Sequence, residues 1–308
     1  MRIIFMGTPQ LAVPALEKLI ESKHEIVAVV TQPDKESGRG RKVSFSPVKE
    51  TALAAGLNIL QPNSVRKDDV LDVLEALQPD LFVVAAYAKL LPPRLLEMGK
   101  KGCINIHPSL LPKYRGAAPL RGPILNGDEF TGVTIMKMAE EFDAGDILLQ
   151  KSFRMDPKET VTTLEPKVSQ LGAEMLMEVI DQIEAGTVTA IQQDDSQATY
   201  YKQIDKEEGR IDFTRPAVEI ERMARANDPW PSAFTTMDGK TFKIWLADAV
   251  DEDGEPGIVK FADKKSVLIG TGQGCLKPLE VQIEGKKRMT MEEFLRGRKI
   301  EQGYEFGK

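Results

Sequence analysis

The stretch Cys103-Ile104-Asn105-Ile106-His107-Pro108-Ser109-Leu110-Leu111-Pro112 decides how this chain is read. Residues i and i+2 of an extended strand share a face, so Asn105 and His107 project together while Ile104 and Ile106 anchor the opposite side. Pro108 cannot continue a central ladder, so the strand stops and a loop begins. A polar pair at the carboxyl end of a buried strand is where open α/β sheets hold their ligands.

The flanking sequence supplies the rest of such a sheet. Leu81-Phe82-Val83-Val84-Ala85-Ala86 is apolar throughout, as a parallel strand covered on both faces requires. Residues 2–6, 25–31, 57–60 and 132–138 read as further strands. Between them lie helical patterns: residues 9–22 with a bend at Pro14, a helix opening at Ser46-Pro47 and ending near Gly56, an amphipathic stretch over 68–77, and 92–98. This alternation predicts an α/β domain, doubly wound and Rossmann-like, with a mostly parallel sheet.

Residues 160–185 form a long helical pattern stopped by Gly186, and 187–208 turn polar and irregular. Thereafter short β segments at 234–237, 241–247, 257–261, 266–270 and 274–278 are separated by Gly and Asp turns, the pattern of a small barrel or sandwich. The expected division is a catalytic domain over 1–189, a linker over 190–208 and a β domain over 209–308. A length of 308 residues suits two domains.

Composition narrows the function classes. The two cysteines, Cys103 and Cys275, are too few for a disulfide framework and fit a reducing compartment. The first six residues are too short for a signal or membrane segment, so a cytoplasmic protein without a membrane role is expected. The net charge is −6, but basic residues cluster: Lys35, Arg39, Arg41, Lys42 and Lys49 stand against Glu36 alone, and Lys286-Lys287-Arg288 form a second run. Such patches bind polyanions even on an acidic chain. Gly7-Thr8-Pro9-Gln10 lacks the glycines of a dinucleotide loop. No P-loop, nucleophile elbow, H-E-x-x-H helix or Cys/His ligand cluster occurs, so no metal site is expected.

Of the two histidines, His24 reads as a surface residue in a helix-to-strand turn, leaving His107 for acid–base work. Asp143 or Asp146, in Phe142-Asp143-Ala144-Gly145-Asp146, is placed to reach the strand end carrying His107. A carboxylate there orients the imidazole and favours its charged form. Asn105 would donate to a developing oxyanion, and His107 would relay a proton or add positive charge. That set suits acyl transfer between two bound substrates.

Asn105-Ile106-His107, Ser109-Leu110-Leu111-Pro112, Arg115-Gly116 and the Asp143 loop together resemble the formyltransferases that use 10-formyltetrahydrofolate. Thr31-Gln32-Pro33-Asp34 with Gly38-Arg39-Gly40-Arg41-Lys42, Tyr114–Pro119, Gly132–Met136 and Asn227-Asp228-Pro229-Trp230-Pro231 resemble the branch acting on methionyl-tRNA. The likeness spans nearly the whole chain. It implies Asn105, His107 and Asp143 as the catalytic set and 10-formyltetrahydrofolate as co-substrate. It implies a folate pocket formed by Ser109, Leu110, Leu111, Pro112, Leu90 and Leu91, and an OB-like C-terminal β-barrel. It also implies initiator methionyl-tRNA as partner, gripped by Arg39, Arg41, Lys42, Lys286, Lys287 and Arg288. A monomer is expected. Two other readings share these residues: formyl transfer to a small amine, and an RNA-binding module with an inert α/β half.

Overall fold

The structure, a computed structural model, describes residues 1–37 and 42–307, with the backbone alone at 35–37 and 42–43. It divides into two compact units. The first comprises Met1–Pro119, Phe130–Arg154 and Glu165–Lys202; the second comprises Leu120–Glu129, Met155–Leu164 and Gln203–Lys308.

The first unit is built on a seven-stranded sheet. From one edge to the other its strands are Ile147–Arg154, Phe130–Lys137, Cys103–His107, Leu81–Ala85, Arg2–Gly7, Glu25–Val30 and Ile59–Leu60. The last five in this order pair in parallel. Phe130–Lys137 joins antiparallel, with Asn105 opposite Met136 and His107 opposite Thr134. Every residue of Leu81–Ala85 is buried, as its unbroken apolar run requires. The chain starts at Arg2–Gly7 and builds toward Glu25–Val30 on one side and Leu81–Ala85 on the other. In open α/β sheets ligands bind at the carboxyl ends of the strands beside such a reversal; here the loop after Ala85 begins there, and His107 ends the next strand. Ala86 and Ala88 in that loop take φ of 48° and 57°, a left-handed conformation that alanine adopts only under constraint.

Several expectations need correction. The pattern over 9–22 is a 3₁₀ turn, Gln10–Ala12, followed by an α-helix, Val13–Ile20. Pro14 lies in the first turn of that helix, where its missing N–H costs nothing, so it does not bend it. The strand expected at 57–60 is Ile59–Leu60. Ile147–Arg154 was missed as a strand because, at the sheet edge, its outer half is polar and exposed. Of the expected linker, residues 190–202 belong to the first unit. There Gln193 is buried and Tyr200–Tyr201 pairs with Arg115–Gly116.

The second unit carries a six-stranded antiparallel sheet. Its main path runs Ala233–Met237, Lys240–Val250, Cys275–Ile283, Val267–Gly270, Val259–Ala262, with Met289–Thr290 beside Cys275–Ile283. The hairpin between the first two turns at Asp238-Gly239, both with positive φ, the geometry that a two-residue connection needs. Phe242, Ile244 and Val281 centre its core, joined by Ile220, Met223 and Ala224 from the helix Ala217–Ala226. Sequence did not reveal that helix, because its inner face also holds Glu221 and Arg225. Those two satisfy each other through paired hydrogen bonds of 2.8 and 2.9 Å.

Tyr87, 2% exposed, packs in the core of the first unit, and burial pushes its phenol up to about 12. The fold therefore favours the neutral phenol. That contribution is intact below about pH 10, the value for an unfolded tyrosine, and is lost as pH climbs through the folded value; it amounts to roughly 2–3 kcal/mol. Urea unfolding at pH 9 and pH 12 should show wild type losing that much more stability than Tyr87→Phe. Equal losses in the two proteins would contradict the assignment.

Candidate active site

His107 ends its strand almost completely enclosed, at 3% exposure. Its Nε2 lies 3.1 Å from the Tyr114 carbonyl oxygen. A carbonyl only accepts, so Nε2 carries the hydrogen. Nδ1 faces Asp143, 3.5 Å from Oδ1. The other oxygen, Oδ2, accepts a 2.8 Å hydrogen bond from the Gly116 amide. Acceptors thus flank both ring nitrogens, an arrangement that an imidazolium satisfies with both of its N–H groups. Asn105, two residues back on the same strand, is half-buried. Among the described residues its carboxamide makes no hydrogen bond.

The loops around this cluster are bent unusually. Tyr114 and Asp143 take φ of 65° and 52°, and Gly116 takes 106°. Gly116 is needed twice: its φ suits only glycine, and a Cβ there would lie 2.5 Å from the Tyr201 carbonyl oxygen. The Tyr114–Ala117 backbone is stitched to the 199–201 segment. Arg115 N–H donates to Thr199 O at 2.8 Å and Ala117 N–H to Tyr201 O at 2.9 Å. Tyr114 N–H donates to Thr199 Oγ1 at 2.9 Å.

Ser109, Leu110, Leu111 and Pro112 form a turn anchored from beneath. Thr134 Oγ1 donates to Ser109 O at 2.7 Å and accepts from the Leu111 amide at 3.2 Å. Gln150 Nε2 donates to Leu111 O and to Thr134 Oγ1, each at 2.9 Å. Ser109 and Leu111 are buried, and Leu110 and Pro112 half-buried. Leu90 is exposed in the neighbouring loop, whereas Leu91 packs into the core with Val84 and Leu95.

The other candidates fall as follows. Arg39 and Arg41 lie outside the described residues, as does the Lys42 side chain. Lys286 and Lys287 are exposed in a turn of the second unit. Arg288, also of the second unit, is engaged by Glu280 at 2.6 Å and Asp228 at 3.1 Å, and it stacks on Trp245. His24 is not a surface residue: it is 8% exposed, and the N-terminal ammonium donates to its Nδ1 at 3.1 Å. Burial and that ammonium hold its imidazole below the usual range. It sits beside the start of Arg2–Gly7, at the end of the sheet opposite His107. His24, Asp181 and Glu184 have the donor types of a metal site, but Lys23 bridges Glu184 at 2.6 Å. The chain's own cations already balance that cluster. Burial pushes the Cys103 thiol up, so it offers no thiolate nucleophile.

Comparison with known proteins adds family membership to this geometry. Residues 1–180 match the family described as Formyl transferase, and residues 203–299 match Formyl transferase, C-terminal domain. The chain belongs to the formyl transferase family. Among family members, the chain is 46% identical over 314 residues to a protein of Lachnospira eligens named Methionyl-tRNA formyltransferase, covering all of both chains. A protein of the same name from Desulfotalea psychrophila is 47% identical, over 97% of this chain and 94% of that one. Solved structures share the fold at lower identity. WlaRD, a sugar 3N-formyl transferase in the presence of dTDP and 5-N-formyl-THF, aligns with TM-score 0.67 and 21% identity over 93% of this chain and 99% of that one. HypX from Aquifex aeolicus with tetrahydrofolic acid aligns with TM-score 0.64 and 21% identity over 96% and 47%. Among the described residues of this family member, no helix is long and apolar enough to cross a membrane.

Sequence reading met Tyr114 and Thr134 only as members of matched stretches and passed over Gln150 and Gln193. Tyr114 acts through its own carbonyl and the other three through a neighbour's backbone, contacts that leave no residue pattern.

Gly116→Ala should force the loop away from Tyr201. A loss of about 1–3 kcal/mol in urea unfolding, together with a fall in turnover larger than the loss of folded protein explains, is expected. An alanine variant with unchanged stability and turnover would show that the close approach is not required.

Proposed function

We propose that this chain transfers the formyl group of 10-formyltetrahydrofolate to the α-amino group of methionine on initiator methionyl-tRNA. The observation that carries this reading is the full-length similarity, at 46% and 47% identity, to proteins named Methionyl-tRNA formyltransferase. That similarity runs through the C-terminal unit as well. The reaction serves translation initiation in the cytoplasm, and the acting species is the single chain.

The chemistry follows from the side chains at the strand end. The neutral amine attacks the formyl carbon, and the formyl oxygen gathers negative charge; collapse of this intermediate breaks the bond between the formyl carbon and the folate nitrogen, which leaves as tetrahydrofolate carrying the proton that the amine gives up. Asn105, whose carboxamide is not committed to a described neighbour, donates to that oxygen. One such donor contributes on the order of 3 kcal/mol to the transition state. His107 adds positive charge beside the same oxygen and takes part in the proton transfers. Asp143 holds the imidazole through Nδ1 and balances its charge. The Ser109–Pro112 turn and the loop carrying Leu90 and Leu91 line the folate pocket, Leu91 from the core side. Arg39, Arg41, Lys42, Lys286 and Lys287 contact tRNA phosphates, where the attraction is electrostatic and indifferent to sequence. In the second unit Arg288, paired with Glu280 and Asp228, supports the Lys286–Lys287 patch.

The test offers 10-formyltetrahydrofolate with charged initiator Met-tRNA and, separately, with glycinamide ribonucleotide. Formyl transfer to the tRNA alone is expected; transfer to the ribonucleotide alone would overturn the reading. Asn105→Ala and His107→Ala should each lower kcat by roughly 10²–10³-fold while leaving the circular dichroism spectrum and urea midpoint near wild type.

A further inference from the structure

Gln193 lies in the polar run Gln192-Gln193-Asp194-Asp195, where nothing in the sequence singles it out. The structure buries it to 6% exposure beside Arg115, which is 1% exposed and so among the most enclosed charges of the chain. Arg115 donates to Gln193 Oε1 from Nε at 3.1 Å and from Nη2 at 2.7 Å. Nη2 also donates to Asp195 Oδ1 at 2.7 Å, and Nη1 donates to the Tyr200 hydroxyl at 3.1 Å. A guanidinium only donates, so the Gln193 atom facing it must be the oxygen. The amide nitrogen is thereby turned the other way, where it donates to the main-chain carbonyls of Asp143 and Gly145, both at 2.7 Å. Both lone pairs and both hydrogens of the side-chain amide are used.

We infer that Gln193 is a positioning residue for formyl transfer: it fixes the Asp143 backbone so that the carboxylate meets His107. The inference rests on the function proposed above. Asp143 needs such a clamp. Its φ of 52° is one that a non-glycine residue keeps only when its surroundings enforce it. The 3.5 Å approach to Nδ1 also leaves little room for drift. The same Arg115–Gln193 pair ties the Asp143 loop to the Arg115–Gly116 backbone, from which the Gly116 amide holds the other carboxylate oxygen. Arg115 is therefore the partner that selects the amide's orientation, and Gln193 is the group that acts on the loop. Neither touches Asn105 or the Ser109–Pro112 turn by any of these bonds. Loss of Gln193 should therefore act on turnover rather than on folate binding.

The decisive variant is Gln193→Glu. A carboxylate still accepts from Arg115, which protects the fold, but it has no hydrogen to give the two carbonyls. Expected are a kcat lower by roughly 10- to 100-fold, a KM for 10-formyltetrahydrofolate close to wild type, and a urea midpoint close to wild type. A substrate-free readout accompanies these. With two histidines in the chain, ¹⁵N spectra of the ring nitrogens resolve both, and His24→Ala assigns them. In Gln193→Glu the His107 signals should move and those of His24 should not. Wild-type kcat and unmoved His107 signals in a folded variant would overturn the inference, as would a kcat loss no larger than the loss of folded protein. If Gln193→Glu does not fold, Gln193→Ala is judged by the same two readouts. Failure of wild type to formylate Met-tRNA would overturn the proposed function, whereas the ring-nitrogen comparison tests the clamp without any acceptor.

Discussion

One 2.8 Å hydrogen bond, from the Gly116 amide to the Asp143 carboxylate, joins two loops that leave different strands of the sheet. His107 lies where those loops converge, with the Tyr114 carbonyl on one ring nitrogen and Asp143 facing the other. Three residues around this point adopt left-handed backbone, two of them not glycine. Conformations of that kind cost roughly 1–3 kcal/mol each, so the neighbouring structure has to hold them. Here the 199–201 backbone, the buried guanidinium of Arg115 and the amide of Gln193 do so. The site is thus an over-determined meeting of loops on a rigid strand end, the arrangement that keeps reacting groups close to productive geometry.

Electrostatics explains why a charge is buried beside the site. An unpaired guanidinium would be costly at 1% exposure. Burial opposes the charge on Arg115, yet the bonds to Asp195 and the Tyr200 hydroxyl hold its ionisation above the usual value. The charge persists and dictates which end of Gln193 faces it. A group there able to accept as well as donate would no longer require the oxygen, and the amide's orientation would then rest on the two carbonyls alone. The contribution of Arg115 is therefore orientation more than stability.

Much of the sheet was legible because its strands are buried on both faces. An unbroken apolar run as short as Leu81–Ala85 suits a strand buried on both faces. The i, i+2 spacing of Asn105 and His107 followed from strand geometry, whereas the need of an imidazole for a carboxylate left Asp143 and Asp146 open and the family resemblance selected Asp143. Pro14 was misread because a proline bends a helix only from its interior, and the position of the first helical turn depends on tertiary packing. Ile147–Arg154 was missed because an edge strand alternates weakly. The helix Ala217–Ala226 was missed because its Glu221–Arg225 pair interrupts the apolar face with charges that neutralise each other. His24 looked exposed because its partner is the N-terminal ammonium, which no side-chain pattern announces. Gln193 was invisible for a related reason: its partners are carbonyls, and any sequence supplies carbonyls.

The proposed reaction requires His107 and Asp143 to act as one unit. A double-mutant cycle on kcat/KM, with His107→Ala, Asp143→Ala and the double variant assayed on Met-tRNA, measures that coupling directly. If they form a unit, the double variant is no slower than the slower single variant, because either substitution already removes what the pair does together. Losses that multiply in the double variant would mean the two side chains act independently, and the 3.5 Å approach between them would then carry no function.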